Sequence, residues 1–156
     1  MSQVKNKLIV GWNEWCALPA LKIPHIKAKI DTGAKTSALH AFDIHEDTTG
    51  NHVIFSIHPL QGDRKITIKC HAPIVDVRQI MSSNGHNELR YVIMTTLAIG
   101  ATSWDIEMTL SNRDPLQYRM LLGRKALVKH VIVDPSRQLC LGRMRKSSVY
   151  TQYQDE

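Results

Sequence analysis

Asp31 is the side chain of this sequence with the most specific chemical setting. A strand-like run from Ile26 to Ile30, in which apolar residues alternate with lysines, ends directly on this carboxylate, and Thr32, Gly33 and Ala34 follow it. A carboxylate at the end of a buried strand is costly unless hydrogen bonds satisfy it, and Thr32 with the two following amides could supply them. Gly33 also permits close approach of another backbone. Taken alone, the segment is interpreted either as an ordinary strand-to-turn sequence or as a functional acidic loop.

A second element lies about 90 residues downstream, where the apolar pair Leu121 and Leu122 is followed by Gly123 and a short helical stretch. Asp-Thr-Gly-Ala followed later by two apolar residues and glycine is the signature pair of the retropepsin-like aspartic proteases, which this sequence resembles. The segment between the two motifs is longer than in the retroviral enzymes.

The resemblance is closer to one bacterial branch, and there it covers nearly the whole chain. Its N-terminal block resembles residues 11–19 and 27–41, its middle block residues 82–93, and its last block residues 110–127 and 133–135. This is the family labelled ATP-dependent zinc proteases, which is often associated with ATP-grasp ligases of the RimK type. Several blocks in the same order make the match specific.

The resemblance implies a role for each matching residue. Asp31 would be the catalytic carboxylate, and Thr32, Gly33 and Ala34 would form the active-site loop. The motif residues Leu121, Leu122 and Gly123 would support that loop from below. Aspartic proteases use two carboxylates that share one proton. Because the chain contains a single Asp-Thr-Gly, a homodimer would have to bring the two Asp31 side chains together.

Two further features bear on this interpretation. Residues Ser83, Asn84 and Gly85 are the candidate flap, since Asn-Gly favours a tight hairpin turn; an ordinary surface hairpin is the alternative. Retroviral enzymes place an acidic residue after the Asp-Thr-Gly-Ala motif, paired with an arginine after the downstream glycine. Here that position is Lys35, which cannot pair with Arg124, so the dimer geometry stays open.

Short β-branched runs with period-two alternation and turn residues between them dominate the chain. Strands are expected at residues 7–11, 26–31, 53–57, 66–68, 74–80, 90–99, 104–110, 119–122 and 131–134, and a single short helix at residues 124–129. The expected fold class is therefore all-β, a retropepsin-like closed β-barrel with one short α-helix after the Leu-Leu-Gly motif. Residues 1–142 are expected to form this single domain, and residues 143–156 a basic and polar C-terminal tail.

No cofactor is expected from motifs. The sequence contains no phosphate-binding GxxxxGK[ST] loop and no HExxH, and none of its eight histidines lies four residues from another. Cys70 and His71 are adjacent, so on a strand their side chains would point to opposite faces. The spacing of possible ligands in the sequence therefore predicts no metal site, and no motif supports the zinc ion of the family label.

Charge and composition limit the partners. The net charge of +6 is concentrated in residues 112–156, which carry nine Lys or Arg and four Asp or Glu. Such a segment is interpreted as a solubilising tail or as an attraction for acidic partners. Few aromatic residues interleave with the basic ones, so no nucleic acid is expected. No membrane segment or secretion signal is expected either, because the longest run without Asp, Glu, Lys or Arg has 15 residues, and we expect a cytoplasmic protein.

The leading hypothesis from sequence is an aspartic endopeptidase that acts through water activated by Asp31 in a homodimer. The family's association with ligases implies a peptide or protein substrate of the kind that such ligases make, with an acidic tail. Two alternatives remain: a non-catalytic peptide-binding module of the same fold, and the zinc-dependent peptidase of the family label. Glu14 and Arg113 could form a buried pair or contact substrate, and sequence alone does not separate these.

Overall fold

Eleven strands and two short α-helices account for the described part of this computed structural model, residues 6–81, 85, 87–112 and 117–154. The strands are β1 (Leu8–Val10), β2 (Asn13–Leu18), β3 (Ile23–Ile30), β4 (Ser37–His40), β5 (Phe42–Glu46), β6 (His52–Ile57), β7 (Ile68–Met81), β8 (Asn87–Ile99), β9 (Thr102–Ser111), β10 (Met120–Leu122) and β11 (Val131–Val133). A 3₁₀ turn at Pro19–Leu21 separates β2 from β3, and the helices are α1 (Arg124–Leu127) and α2 (Lys146–Gln154).

Six strands close into a barrel in the order β2-β3-β10-β4-β9-β8, and β8 returns to β2 through the pair Ala17 and Ala98. Strands β7, β6 and β5 extend the sheet outward from β8, while β1 and β11 form a separate parallel pair. The expected all-β closed barrel with a short helix after Leu-Leu-Gly is confirmed.

The hydrophobic core, formed mainly by the barrel strands together with β6, consists of aliphatic side chains and the ring of Phe55. Alternation along each strand sends every second residue inward, as the period of a strand requires. The largest side chains that are less than 2% exposed are Leu18, Ile23, Ile26, Leu39, Phe55, Ile57, Ile93, Leu97, Ile99, Met108, Leu110 and Met120.

The structure adds elements that the periodicity did not predict. Strands β2, β4 and β5 lie where no strand was expected. Of the run expected at residues 66–68 only Ile68 lies in a strand, and it begins the long strand β7, which also contains residues 74–80. Helix α1 ends at Leu127, two residues earlier than expected. Each difference concerns short or polar segments, in which tertiary pairing outweighs local pattern.

The C-terminal residues contain a second helix, which the sequence did not indicate. Helix α2 places Val149 in the interior, 1% exposed. The Tyr153 hydroxyl donates to the His25 carbonyl and accepts from the His25 amide at 3.3 Å. These contacts fix the helix against β3, so within residues 143–156 the segment from Lys146 to Gln154 is helical and packed. The domain boundary at residue 142 stays a prediction.

Candidate active site

Asp31 follows β3 directly and is held mainly by backbone. Its amide donates to the Leu122 carbonyl at 2.9 Å, and its own carbonyl accepts from the Ala34 amide at 3.2 Å, which closes a turn. The carboxylate oxygen Oδ1 accepts from the Gly33 amide at 2.9 Å. Among the described residues, Oδ2 accepts no hydrogen bond. Asp31 is partly exposed, and Thr32 and Gly33 are exposed, so the loop presents one carboxylate oxygen outward.

The backbone of Gly33 lies close to this carboxylate. A Cβ atom at Gly33 would lie 3.2 Å from Asp31 Oδ1. That contact is tighter than most side chains make, so a larger residue would shift the carboxylate by a few tenths of an ångström.

Strand β10 runs between the strands on either side of the loop. It pairs in parallel with β3, with Leu122 opposite Ile30, and antiparallel with β4, with Met120 opposite Leu39. Leu122 is fully buried and Leu121 is half-buried. The apolar pair therefore lies directly beside the loop stem, and its role in supporting the loop stays a prediction.

Gly123 ends β10 in a space that admits no side chain. A Cβ atom there would lie 2.6 Å from the Thr36 carbonyl oxygen and 2.9 Å from that of Ala34. The Gly123 amide donates to the buried Ser37 hydroxyl at 3.0 Å. Sequence reasoning missed Ser37; a small hydroxyl residue shortly after the Asp-Thr-Gly-Ala motif was the available signal.

Arg124 contacts the loop within its own chain. Its guanidinium donates to the Thr32 carbonyl at 2.9 Å, and its amide donates to the Ala34 carbonyl at 2.8 Å. The next amide, of Lys125, donates to the Lys35 carbonyl at 3.1 Å. The arginine therefore binds the loop backbone, an arrangement that needs no acid at position 35.

The candidate flap belongs to the segment of sequence between β7 and β8. The two strands pair as far as Met81 opposite Asn87. Gly85 is exposed with φ of +81°, a left-handed conformation suited to a turn. Ser83 and Asn84 lie outside the described residues, so the flap stays a prediction.

Glu14 is a buried backbone-binding carboxylate. It is 0% exposed, and Oε2 accepts from the amides of Gly11 at 2.7 Å and Cys140 at 2.8 Å, while Oε1 accepts from that of Leu141 at 3.0 Å. The structure places Glu14 in the interior, with its carboxylate bound to these three backbone amides. Arg113, its suggested partner, lies outside the described residues.

Metal-ligating side chains do not gather at Asp31. Across the described ranges, the one set of three His, Cys, Asp or Glu side chains close enough to share an ion is Asp47, His52 and His71. Burial raises the pKa of the Cys70 thiol to about 12 and that of Cys16 still further. Both thiols are therefore protonated and are poor nucleophiles or ligands. We derive no step of the chemistry at Asp31 through zinc.

In the part of the chain that the structure describes, no helix has the length and apolar character needed to cross a membrane.

The fold has a counterpart among solved structures. The crystal structure of a Legionella pneumophila protein of unknown function superposes with a TM-score of 0.72 and 26% sequence identity. The superposition covers 86% of this chain and 98% of that one.

Sequence comparison finds relatives whose names describe a ligase. A protein of Shewanella pealeana named probable alpha-L-glutamate ligase is 49% identical over 139 residues, which cover 88% of this chain and 30% of that protein. One of the same name from Desulfotalea psychrophila is 46% identical over 158 residues, covering 100% of this chain and 34% of its own length. This chain thus spans about a third of the length of the curated relatives it matches.

The family comparison agrees with the loop and strand arrangement around Asp31. Residues 9–143 match the RimB-like family, described as retropepsin-like aspartic endopeptidase RimB. Because the match extends over most of the 156 residues, the chain belongs to the RimB-like family of retropepsin-like aspartic endopeptidases.

Proposed function

We propose that this protein is an aspartic endopeptidase whose active form is a homodimer with one Asp31 from each subunit. The observation that carries the proposal is the position of Asp31, on an exposed turn between β3 and β4 with β10 inserted beside its stem. This bracing holds a carboxylate at the surface in a fixed orientation, which general acid–base catalysis needs.

Two carboxylates in contact share one proton, because like charges about 3 Å apart cannot both ionise. The ionised Asp31 takes a proton from a water molecule, while the protonated Asp31 of the other subunit donates a hydrogen bond to the scissile carbonyl. The water oxygen bonds to the carbonyl carbon, the C–N bond breaks, and the amine leaves with a proton. Water is the sole co-reactant.

Exposure of the loop favours a second subunit as its cover. Thr32 and Gly33 are exposed, and Trp12, whose carbonyl accepts from the Ile30 amide at 2.8 Å, is 37% exposed beside the loop stem. Exposed aromatic residues are frequent anchors of protein interfaces. In the dimer, we propose that Ser83–Gly85, between β7 and β8, covers the bound peptide and excludes water.

We further propose that the substrate is a peptide or protein with an acidic tail. Three exposed cations, Lys35, Arg124 and Lys125, lie at or beside the Asp31 loop. The Lys125 amide donates to the Lys35 carbonyl, and the Arg124 amide donates to the Ala34 carbonyl. Such a group attracts negatively charged peptides. The relatives named alpha-L-glutamate ligase favour the same class, because a ligase that adds glutamate makes acidic chains. Association with such a ligase system follows as part of this proposal.

Asp31→Asn tests the catalytic claim, because asparagine keeps an oxygen for the Gly33 amide and so preserves the turn. We expect a peptide with a C-terminal oligoglutamate tail to be cleaved by the wild type, with the rate reduced roughly 10²–10⁴-fold in Asp31→Asn. Asp43→Asn is the matched control, since Asp43 is exposed with φ of +52°, a conformation that asparagine adopts equally well. It should retain wild-type activity.

A peptide with an oligoglutamine tail tests the substrate claim separately. Slower cleavage of the neutral peptide, with a difference that shrinks as salt is added, is expected from screening of the three cations. Equal activity of Asp31→Asn and wild type would overturn the catalytic claim. Equal cleavage of both peptides would overturn only the acidic specificity. Binding without cleavage by dimeric wild type would favour the peptide-binding module.

A further inference from the structure

Three side chains from three successive segments converge at the outer edge of the sheet. Asp47 follows β5, His52 begins β6, and His71 lies in β7. The register pairs Ile54 with His71 and His52 with Pro73, so the two histidines are diagonal neighbours on one face. Their imidazole rings stack with centroids 4.7 Å apart and planes 17° apart.

The β5–β6 turn fixes the orientation of the Asp47 carboxylate. Its Oδ1 accepts from the Thr49 amide at 3.1 Å, the Thr49 hydroxyl at 2.7 Å and the Gly50 amide at 3.0 Å. These hydrogen bonds hold Oδ1 in place and leave Oδ2 on the side of the histidines, and such supporting hydrogen bonds are typical of a metal-ligating carboxylate.

The spacing of the three ligand atoms resembles the spacing of ligands around a metal ion. Oδ2 of Asp47 lies 3.4 Å from His71 Nε2, a long hydrogen bond, and 3.7 Å from His52 Nδ1, and all three atoms lie within 4.8 Å of one another. Ligand atoms at about 2.0–2.1 Å from a tetrahedral ion are about 3.3–3.4 Å apart. The two separations from the carboxylate are close to that spacing, and the two imidazole nitrogens would have to approach each other for an ion to bind.

We propose that Asp47, His52 and His71 form a binding site for a late first-row divalent metal ion, of which Zn²⁺ is the most suitable probe. Two neutral imidazoles and one carboxylate are ligands that such ions prefer, whereas Mg²⁺ and Ca²⁺ prefer oxygen. The side chains of His52 and His71 are 38% and 56% exposed, which leaves a coordination position for water. The spacing of these residues along the sequence does not indicate a metal site, because pairing across two hairpins brings the three residues together.

The proposed ion would stabilise the outer strands and takes no part in the chemistry at Asp31. Strands β5, β6 and β7 lie outside the closed ring, whereas the Asp31 loop is bounded by β3, β4 and β10, none of which pairs with these three. An ion held by Asp47, His52 and His71 would connect all three outer segments. The free edge of β5 would then be tied to the body of the sheet.

Calorimetric titration of the metal-free full chain with Zn²⁺ tests the site. We expect one equivalent to bind, with affinity reduced at least about tenfold in His71→Gln and Asp47→Asn. His45→Gln is the matched control, because His45 is an exposed histidine on neighbouring β5 outside the set, and its affinity should equal that of the wild type. Mg²⁺ should neither bind measurably nor compete.

Thermal unfolding provides a second readout. Saturating Zn²⁺ should raise the midpoint of wild type and His45→Gln, and the rise should be lost in His71→Gln, whose metal-free midpoint should match the wild type. Asp31→Asn should bind Zn²⁺ as the wild type does, which separates this site from the proposed peptidase chemistry. Absence of Zn²⁺ binding, or equal affinity in wild type, His71→Gln and Asp47→Asn, would overturn the proposal.

Discussion

Removal of the Glu14 carboxylate should release the C-terminal segment from the barrel. Glu14 accepts three backbone hydrogen bonds, one from Gly11, which precedes β2, and two from Cys140 and Leu141 far along the chain. In Glu14→Ala these three amides lose their acceptor, and a space is left where the carboxylate was. The contact is the main buried polar link between β2 and the segment that leads to α2.

The size of the effect follows from the number of amides. Each buried amide without a partner costs about 1–3 kcal/mol, so three give roughly 3–9 kcal/mol. Because Cys140 and Leu141 are half-buried, water can reach part of the site, and we expect about 3–5 kcal/mol for Glu14→Ala. Glu14→Gln retains an oxygen for two of the amides and places an NH₂ group against the third, so about 2–3 kcal/mol is expected.

Urea unfolding measures these differences directly. The thermal midpoint should also fall by roughly 6–20 °C in Glu14→Ala, at ~2–4 °C per kcal/mol for a chain of this size. Glu107→Ala removes an exposed carboxylate from β9 and should change stability by less than about 0.5 kcal/mol. A Glu14→Ala protein within about 1 kcal/mol of the wild type would refute the reasoning that the three amides depend on this carboxylate.

Three further outcomes follow from the structure. Arg124→Ala should reduce peptide cleavage at least tenfold while lowering the thermal midpoint only slightly, because the Arg124 guanidinium donates a hydrogen bond to the Thr32 carbonyl of the loop. Lys125→Ala should retain more activity, and equal losses of activity in the two variants would refute this role of Arg124. Iodoacetamide at neutral pH should modify the half-exposed Cys140 and should not modify Cys70 until the protein unfolds, because burial raises the pKa of the Cys70 thiol to about 12. Mass spectrometry of the labelled chain measures this, and modification of Cys70 before Cys140 would contradict the burial of Cys70. Burial lowers the pKa of His25 from 6.5, so the unfolded chain binds a proton at this histidine more readily than the folded protein does. The free energy of unfolding should therefore decrease as the pH falls through about 6.5. His25→Gln should flatten this pH dependence, and an unchanged pH dependence would contradict the role given to His25.

The parts of the fold predicted from sequence are those with strong local patterns. The apolar run of β3, the Asp31 turn and the Leu121–Gly123 motif were placed correctly, because motif and periodicity agree there. Strand β4 is short and begins with Ser37, and helix α2 has Val149 as its one described fully buried side chain. Pairing with distant strands determines both elements, and a local window does not contain that information.

The same distinction separates the residues of the candidate sites. Glu14 was recognised as notable, but only the chain path that returns at Cys140 shows which amides it binds. Asp47, His52 and His71 have no metal-binding spacing along the sequence, and the register of two hairpins brings them together. Sequence thus identifies chemistry carried by one continuous segment, and three-dimensional pairing is needed for the rest.

The most direct test of the shared Asp31 dyad is a mixing experiment. Wild-type and Asp31→Asn chains are combined at constant total concentration, allowed to exchange subunits, and assayed on the oligoglutamate-tailed peptide. If each active site needs Asp31 from both subunits, activity should follow the square of the wild-type fraction, so that an equal mixture retains about one quarter of the wild-type rate. Retention of about one half, the result for subunits that act independently, would contradict the account.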